Sequence, residues 1–147
     1  MCMTISIVIK PVESNEQLKL ALSIRNKVFV KEQGIDIDIE KDGKDEAAIH
    51  VLAFVDGNPV ATARLCTSND EGTIARVAVE TEYRGCGIGP QLVQALEDIA
   101  LSKNLRSLTL EPHVHLETFY SELGYETIPG VGIKVNEHEL ITMRKML

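Results

Sequence analysis

Arg84-Gly85-Cys86-Gly87-Ile88-Gly89 is the stretch on which the reading of this chain turns. It follows an apolar, β-branched run over residues 73–80, which reads as a strand. It precedes Pro90 and an apolar stripe of Leu92, Val93, Leu96, Ile99 and Ala100 at helical spacing. Three glycines in such a loop keep side chains out of the path of a ligand. They also permit turns that aim successive N–H groups into one concavity. The start of the following helix adds the positive end of its dipole. Pro90 suits a first helical turn, where its missing N–H removes no hydrogen bond. The combination fits a phosphate or pyrophosphate, and Arg84 can add a positive charge.

Two nucleotide motifs fit this loop poorly. A P-loop ends in Gly-Lys-Ser/Thr, whereas this loop ends Gly89-Pro90-Gln91 and lacks both the phosphate-gripping lysine and the Mg²⁺-binding hydroxyl. A dinucleotide fingerprint is G-x-G-x-x-G in a first strand–helix turn. Here the spacing is G-x-G-x-G, and a hairpin-rich segment precedes it.

Working outward, residues 6–10 alternate as a first strand. Ser14-Asn15-Glu16-Gln17 matches a capping box at a helix start, and Leu18, Ala21, Leu22, Arg25, Val28 and Phe29 follow at helical spacing. Residues 30–48 read as an acidic, solvated connector that could cover a ligand site. Asp38, Glu40, Asp42 and Gly43 partly match a Ca²⁺ loop, but its twelfth position is Ile49 instead of Glu, so no metal site is expected. Strands are expected over 49–55 and 60–67, joined by the hairpin signal Asp56-Gly57-Asn58, and then over 73–80. Asn104 can end the helix after the glycine loop in a left-handed conformation. A strand over 107–110, a short helix over 116–123 stopped by Gly124, and a final strand over 139–146 complete the order. Three consecutive strands followed by strand–helix alternation give a mixed α/β sheet with helices packed on it.

The 147 residues are read as one domain, 1–147, with enough chain to bury a core unaided. A net charge of −7 without a Lys/Arg cluster excludes nucleic acid as the expected partner. No apolar run is long enough to cross a bilayer, and no signal-peptide pattern is read at the N-terminus. Cys2, Cys66 and Cys86 form no close pair, which argues against a disulfide framework or a Zn site and toward the reducing cytoplasm. Exposed terminal strands suit a homodimer.

With these flanks, the loop resembles the GNAT superfamily of N-acetyltransferases. The family signature Arg/Gln-x-x-Gly-x-Gly/Ala is matched by Arg84 to Gly89. Arg76-Val77-Ala78-Val79 is similar to the family's fourth strand, and Phe119-Tyr120-Ser121-Glu122-Leu123-Gly124-Tyr125 to its Phe-Tyr-x-x-x-Gly-Phe. Arg25, Val28, Phe29, Glu32 and Gln33 look like the first-helix region of small bacterial members. The resemblance implies a mostly antiparallel sheet whose fourth and fifth strands splay apart to admit the pantetheine arm of coenzyme A. It also implies acetyl-CoA as acetyl donor and direct attack by a primary amine in a ternary complex.

By that resemblance, Arg84, Gly85, Cys86, Gly87, Ile88 and Gly89 hold the phosphates. Backbone around Val77, Ala78 and Val79 holds the thioester and pantetheine. His113 and Phe119 also contact the cofactor; His113 stands where the family often has Asn or Gln. His113-x-His115 could suggest a metal, but no third ligand accompanies it. Tyr120 is the family-matched proton donor to the departing thiolate. Its ordinary pKa near ~10, set against ~8.5 for a thiol, is read as making that transfer downhill; the alternative is a packed Tyr bonded to backbone. His138 is a candidate base, with Glu80 or a water chain as alternatives. Cys86, in the loop, is not expected to carry an acyl group. Arg76 stands alone in an apolar strand, and a two-residue period puts it on one face with Ile74 and Ala78, opposite Val77 and Val79. It either grips an anionic group of the acceptor or forms an internal salt bridge. Acceptors considered are a small amine, or a protein lysine or N-terminus. A non-catalytic acyl-CoA-binding module is the reading from another class.

Overall fold

In the computed structural model, which describes residues 5–135 and 138–147, Asp56 and Gly57 take φ of 50° and 80°. That pair of left-handed residues makes the two-residue turn whose twist matches a hairpin. It joins strands β2 (Ile49–Val55) and β3 (Asn58–Ser68). A second tight turn, with Asn69 at φ 56°, joins β3 to β4 (Glu71–Val79). Strand β1 (Ile7–Pro11) pairs with β2, so the N-terminal half of the sheet is an antiparallel meander.

Helix α1 (Asn15–Arg25) starts as the capping signal predicts. The Ser14 hydroxyl accepts the Gln17 N–H at 3.1 Å. The Gln17 side chain reaches back one residue further than the motif, to the Glu13 N–H at 2.6 Å. The helix then continues as a π-helical segment, Asn26–Glu32. A one-turn helix α2 (Ile37–Glu40) follows. After β4 and the glycine loop comes α3 (Ile88–Ser102), whose end is capped as expected by Asn104 at φ 60°. Strand β5 (Ser107–Leu110), helix α4 (Glu117–Glu122) and strands β6 (Glu126–Val135) and β7 (His138–Met146) complete the chain. Among the described residues, seven strands run in the order β1-β2-β3-β4-β5-β7-β6, and only β4 and β5 are parallel.

Apolar burial fixes a helix layer on each face. Leu92, Leu96 and Ala100 of α3 are fully buried against Leu65, Ile74, Leu108 and Met143. Ala21, Ile24 and Val28 pack on the other face against Leu52 and Ala78. Under α3, Glu97 accepts the Tyr125 hydroxyl at 2.8 Å and Lys145 at 3.1 Å, so a buried carboxylate is both hydrogen-bonded and paired.

Three expectations change. A β-bulge sets two residues of β4 against Ala63, because Thr62 pairs with Ala78 while Arg64 pairs with Ala75. Arg76 takes φ 56° there. The two-residue period is therefore broken: Ile74, Val77 and Val79 share the α3 face, and Ala78 turns to the α1 face. The acidic connector is not a solvated loop either. Glu40 is 4% exposed, and its carboxylate meets the fully buried Arg25 at 2.9 Å and Arg76 at 2.8 Å. Asp45 pairs with Arg25 and Arg64, and Asp42 with Arg64 and Arg76. The charges that made the segment look solvated pin it to the sheet. Finally, Cys86 is disulfide-bonded, against the expectation of unpaired cysteines.

Candidate active site

Strand β4 pairs with β5 only from Glu71 to Ile74. Beyond that point β5 has ended while β4 runs on to Val79. From Ala75 to Val79, the edge of β4 turned toward β5 has no strand partner among the described residues. Unpaired backbone groups on such an edge are open to a ligand. Two cavities adjoin this stretch of β4, and Val77 lines both.

The first is a cleft of about 670 Å³ lined by Val77, Val79, the glycine loop, Phe119 and Tyr120, with Glu32 and Gln33 from the end of the π-helical segment opposite. Gly85 and Gly87 take φ of 76° and 80°, where a side chain is strained, and a Cβ at either would point into open space. Gly87 is the N-cap of α3, and no side chain caps that end. The first N–H groups of a 15-residue helix are thus left to a ligand at the mouth of the cleft. Ser14 does the opposite at α1. This arrangement fits the pyrophosphate of a CoA thioester. Arg84 is held differently from the free cation expected: it makes a two-pronged contact with Glu32, at 2.6 and 2.7 Å, and donates through Nε to the Val79 carbonyl at 2.9 Å. It ties the loop to the far wall of the cleft. Ala78 lines neither cavity, because the bulge turns it to the α1 face. Cys86 also stands outside the lining.

The second cavity, about 250 Å³, lies under α2 and is walled by Phe29, Ile39, Ile74, Leu110, Ile133 and Leu140, among others. Arg76, Glu40 and Glu111 supply its charged groups. The internal ion pair that the sequence left open for Arg76 is present. Its Nε donates to Glu40 at 2.8 Å, and Nη2 to the carbonyls of Ile39 and Glu40 at 3.2 and 3.1 Å.

Val77, His113, Leu116, Tyr120 and His138 line both cavities and mark where they meet. The Tyr120 hydroxyl makes no hydrogen bond among the described residues, although the ring is buried, so it is not a packed Tyr bonded to backbone. Burial pushes its pKa up to about 12. The expectation of downhill transfer has the wrong sign. A phenol near ~10 is already a weaker acid than a thiol near ~8.5, and burial widens the gap. A hydroxyl so shifted can donate a hydrogen bond but does not readily give up its proton.

The two histidines touch, which no sequence signal announced. His138 Nε2 lies 2.9 Å from the Gln33 carbonyl, an acceptor, so Nε2 carries a proton. The 3.2 Å contact between His138 Nδ1 and His113 Nε2 then assigns a proton to His113 Nε2 when both rings are neutral. Both nitrogens of His138 are engaged, and the lone pair left at the junction belongs to His113 Nδ1. Burial, followed by the neighbouring His138 and His115, holds the His113 pKa below its usual value. Glu80 lines neither cavity; it accepts Lys27 at 2.6 Å.

A family model described as "Acetyltransferase (GNAT) family" matches residues 18–125. The chain belongs to the GNAT acetyltransferase family. A Bacillus subtilis (strain 168) relative, provisionally named an acetyltransferase, is 34% identical over 81% of this chain and 83% of its own length. The crystal structure of a Lactobacillus plantarum protein, provisionally named an N-acetyltransferase, superposes with a TM-score of 0.88 at 27% identity, over 97% of this chain and 99% of that one. An acyl-CoA N-acyltransferase from Pseudomonas aeruginosa does so with a TM-score of 0.82 at 25% identity, over 97% and 99%. GNAT membership accounts for the splayed β4 and β5 and implies an acyl-CoA cosubstrate for the larger cleft. The smaller cavity adjoins that cleft at Val77 and Tyr120. It combines α2 and the β6–β7 pair, which no family motif of the sequence marked, with Phe29, Arg76, Val77 and Tyr120, which lie in the family-matched stretches.

Proposed function

We propose that this GNAT protein transfers the acetyl group of acetyl-CoA to a primary amine of a small molecule by direct attack in a ternary complex. The carrying observation is the junction: the cleft and the smaller cavity meet at Val77 and Tyr120, beside the unpaired edge of β4. The thioester supplies an activated acyl carbon and a sulfur leaving group. Gly85, Gly87 and Gly89, with the uncapped start of α3, bind the pyrophosphate, and Phe119 packs along the arm. Backbone N–H groups of β4 near Val77 stabilise the developing oxyanion. An ammonium has no lone pair, so His113 takes its first proton on Nδ1 and passes it to solvent. His138 holds the His113 ring through the Nε2–H···Nδ1 contact, and Gln33 fixes the His138 tautomer. The N–C bond forms as the C–S bond breaks, with the electron pair leaving on sulfur. Tyr120 donates a hydrogen bond to that sulfur, which takes up a second proton released by the nitrogen. The balance is an amide, a thiol and one proton to solvent.

The test is thiol release from acetyl-CoA with and without amines, the product being identified by mass spectrometry. Amine-dependent release with an N-acetyl product supports the proposal. Tight binding without release from any amine, protein lysines included, supports the binding-module reading instead.

A further inference from the structure

The charges around the smaller cavity define the acceptor further. Three guanidinium groups, Arg25, Arg64 and Arg76, face three carboxylates, Glu40, Asp42 and Asp45, in one network. The network is electroneutral. Arg76 is its member nearest the acceptor, and it is committed. The β-bulge holds its backbone at φ 56°, an uncommon conformation for a residue with a side chain, and directs its guanidinium onto Glu40. A substrate carboxylate approaching Arg76 would meet Glu40, whose two oxygens also accept from Arg25 at 3.1 and 2.9 Å. Glu111, also in the lining, makes no ion pair among the described residues. The unpaired charge at the cavity's edge is therefore the solvent-exposed carboxylate of Glu111, which favours an ammonium over an anion. Most of the remaining wall is apolar, including Phe29, Ile35, Ile39, Ile74, Leu110 and Leu140, with Thr73, His113, Tyr120 and His138 as its uncharged polar members. At a liquid water's share of roughly 30 Å³ per heavy atom, a volume of about 250 Å³ holds on the order of eight non-hydrogen atoms.

We infer that the acceptor is a small alkyl- or arylalkylamine whose body carries no carboxylate or phosphate. Arg76 serves to hold the Ile39–Glu40 wall in place, not to grip the substrate. This rests on the acetyl-transfer reading of the same site.

The experiment uses matched probes on the full chain: hexylamine against 6-aminohexanoate, and 2-phenylethylamine against phenylalanine. Binding is read by calorimetry and turnover by thiol release. The uncharged-body member of each pair is expected to bind and react better by about tenfold or more, since like charges brought together weaken association steeply. Ile39→Ser, a change at a 40% exposed wall position, should weaken hexylamine binding several-fold. A preference for the carboxylate member in either pair overturns the inference. So does unchanged hexylamine affinity in Ile39→Ser, or no binding of either uncharged-body amine. Binding with the expected preference but without thiol release keeps the acceptor class and removes the acetyl-transfer reading.

Discussion

Tyr120→Phe isolates one hydroxyl in a buried ring. That oxygen has no hydrogen-bond partner among the described residues, so its removal leaves no buried group unsatisfied and should leave the melting temperature nearly unchanged. Its effect should fall on catalysis alone. A phenol held at about 12 lies roughly 3.5 units above a thiol near ~8.5, and at about 1.36 kcal/mol per unit complete transfer would be uphill by about 5 kcal/mol. A hydrogen bond to a charged group contributes about 1.5–3 kcal/mol. At about 1.4 kcal/mol per tenfold, kcat should fall roughly 10- to 150-fold while the KM for acetyl-CoA changes little. Stopped-flow detection of the released thiol, with a thermal melt of the same sample, measures both quantities. A variant with wild-type kcat would refute the role, and a large loss of melting temperature would show that the hydroxyl is structural.

Three further outcomes follow. Gly87→Glu places a carboxylate at the open start of α3 and strains a residue at φ 80°; calorimetry should show acetyl-CoA binding weakened by tens of fold or more. The His113 pKa is depressed, so the ring is neutral and able to accept a proton above a value lower than the usual ~6.5. The acid limb of kcat/KM should therefore lie below that value, should vanish in His113→Ala, and should shift in His138→Ala; an unchanged limb in His113→Ala assigns the proton to another group. Glu40→Gln leaves Arg25, at 0% exposure, with a charge only partly paired, and denaturant unfolding should show a loss of about 3–5 kcal/mol. Asp42 and Asp45 bear on the same network: burial alone would raise their pKa values, but hydrogen bonds from Arg64 to Asp42 and from Arg25 to Asp45 outweigh it. Their folded-state values are depressed, so their contribution is present above the unfolded value near ~3.9 and is lost as pH falls through the folded ones.

Local chemistry was legible in the sequence wherever one residue type had one structural use. Asp56-Gly57 reads as a hairpin turn and Asn104 as a left-handed cap because few other residues take those angles. The glycine loop reads as an anion cradle for the same reason, and it led directly to the larger cleft. Arg76 was misplaced because a bulge adds one residue to a strand, and a period-2 pattern has no mark for it. The connector looked solvated because composition records the acidic charges of Glu40, Asp42 and Asp45 but not the guanidiniums, up to 36 residues away, that bind them. The His113–His138 contact spans 25 residues and exists only once β7 folds beside the end of β5. The smaller cavity joins Phe29, Arg76, Val77 and Tyr120, which the sequence marked, to distant pieces such as Ile133 and Leu140 of the β6–β7 pair, which had no local signature.

The central claim is that donor and acceptor occupy adjoining cavities and react directly at the Val77–Tyr120 junction. Initial rates of thiol release with acetyl-CoA and hexylamine varied together test it most directly. Direct attack requires both substrates bound at once and predicts double-reciprocal lines that intersect. Parallel lines, the signature of an acyl-enzyme exchanged between half-reactions, would contradict it.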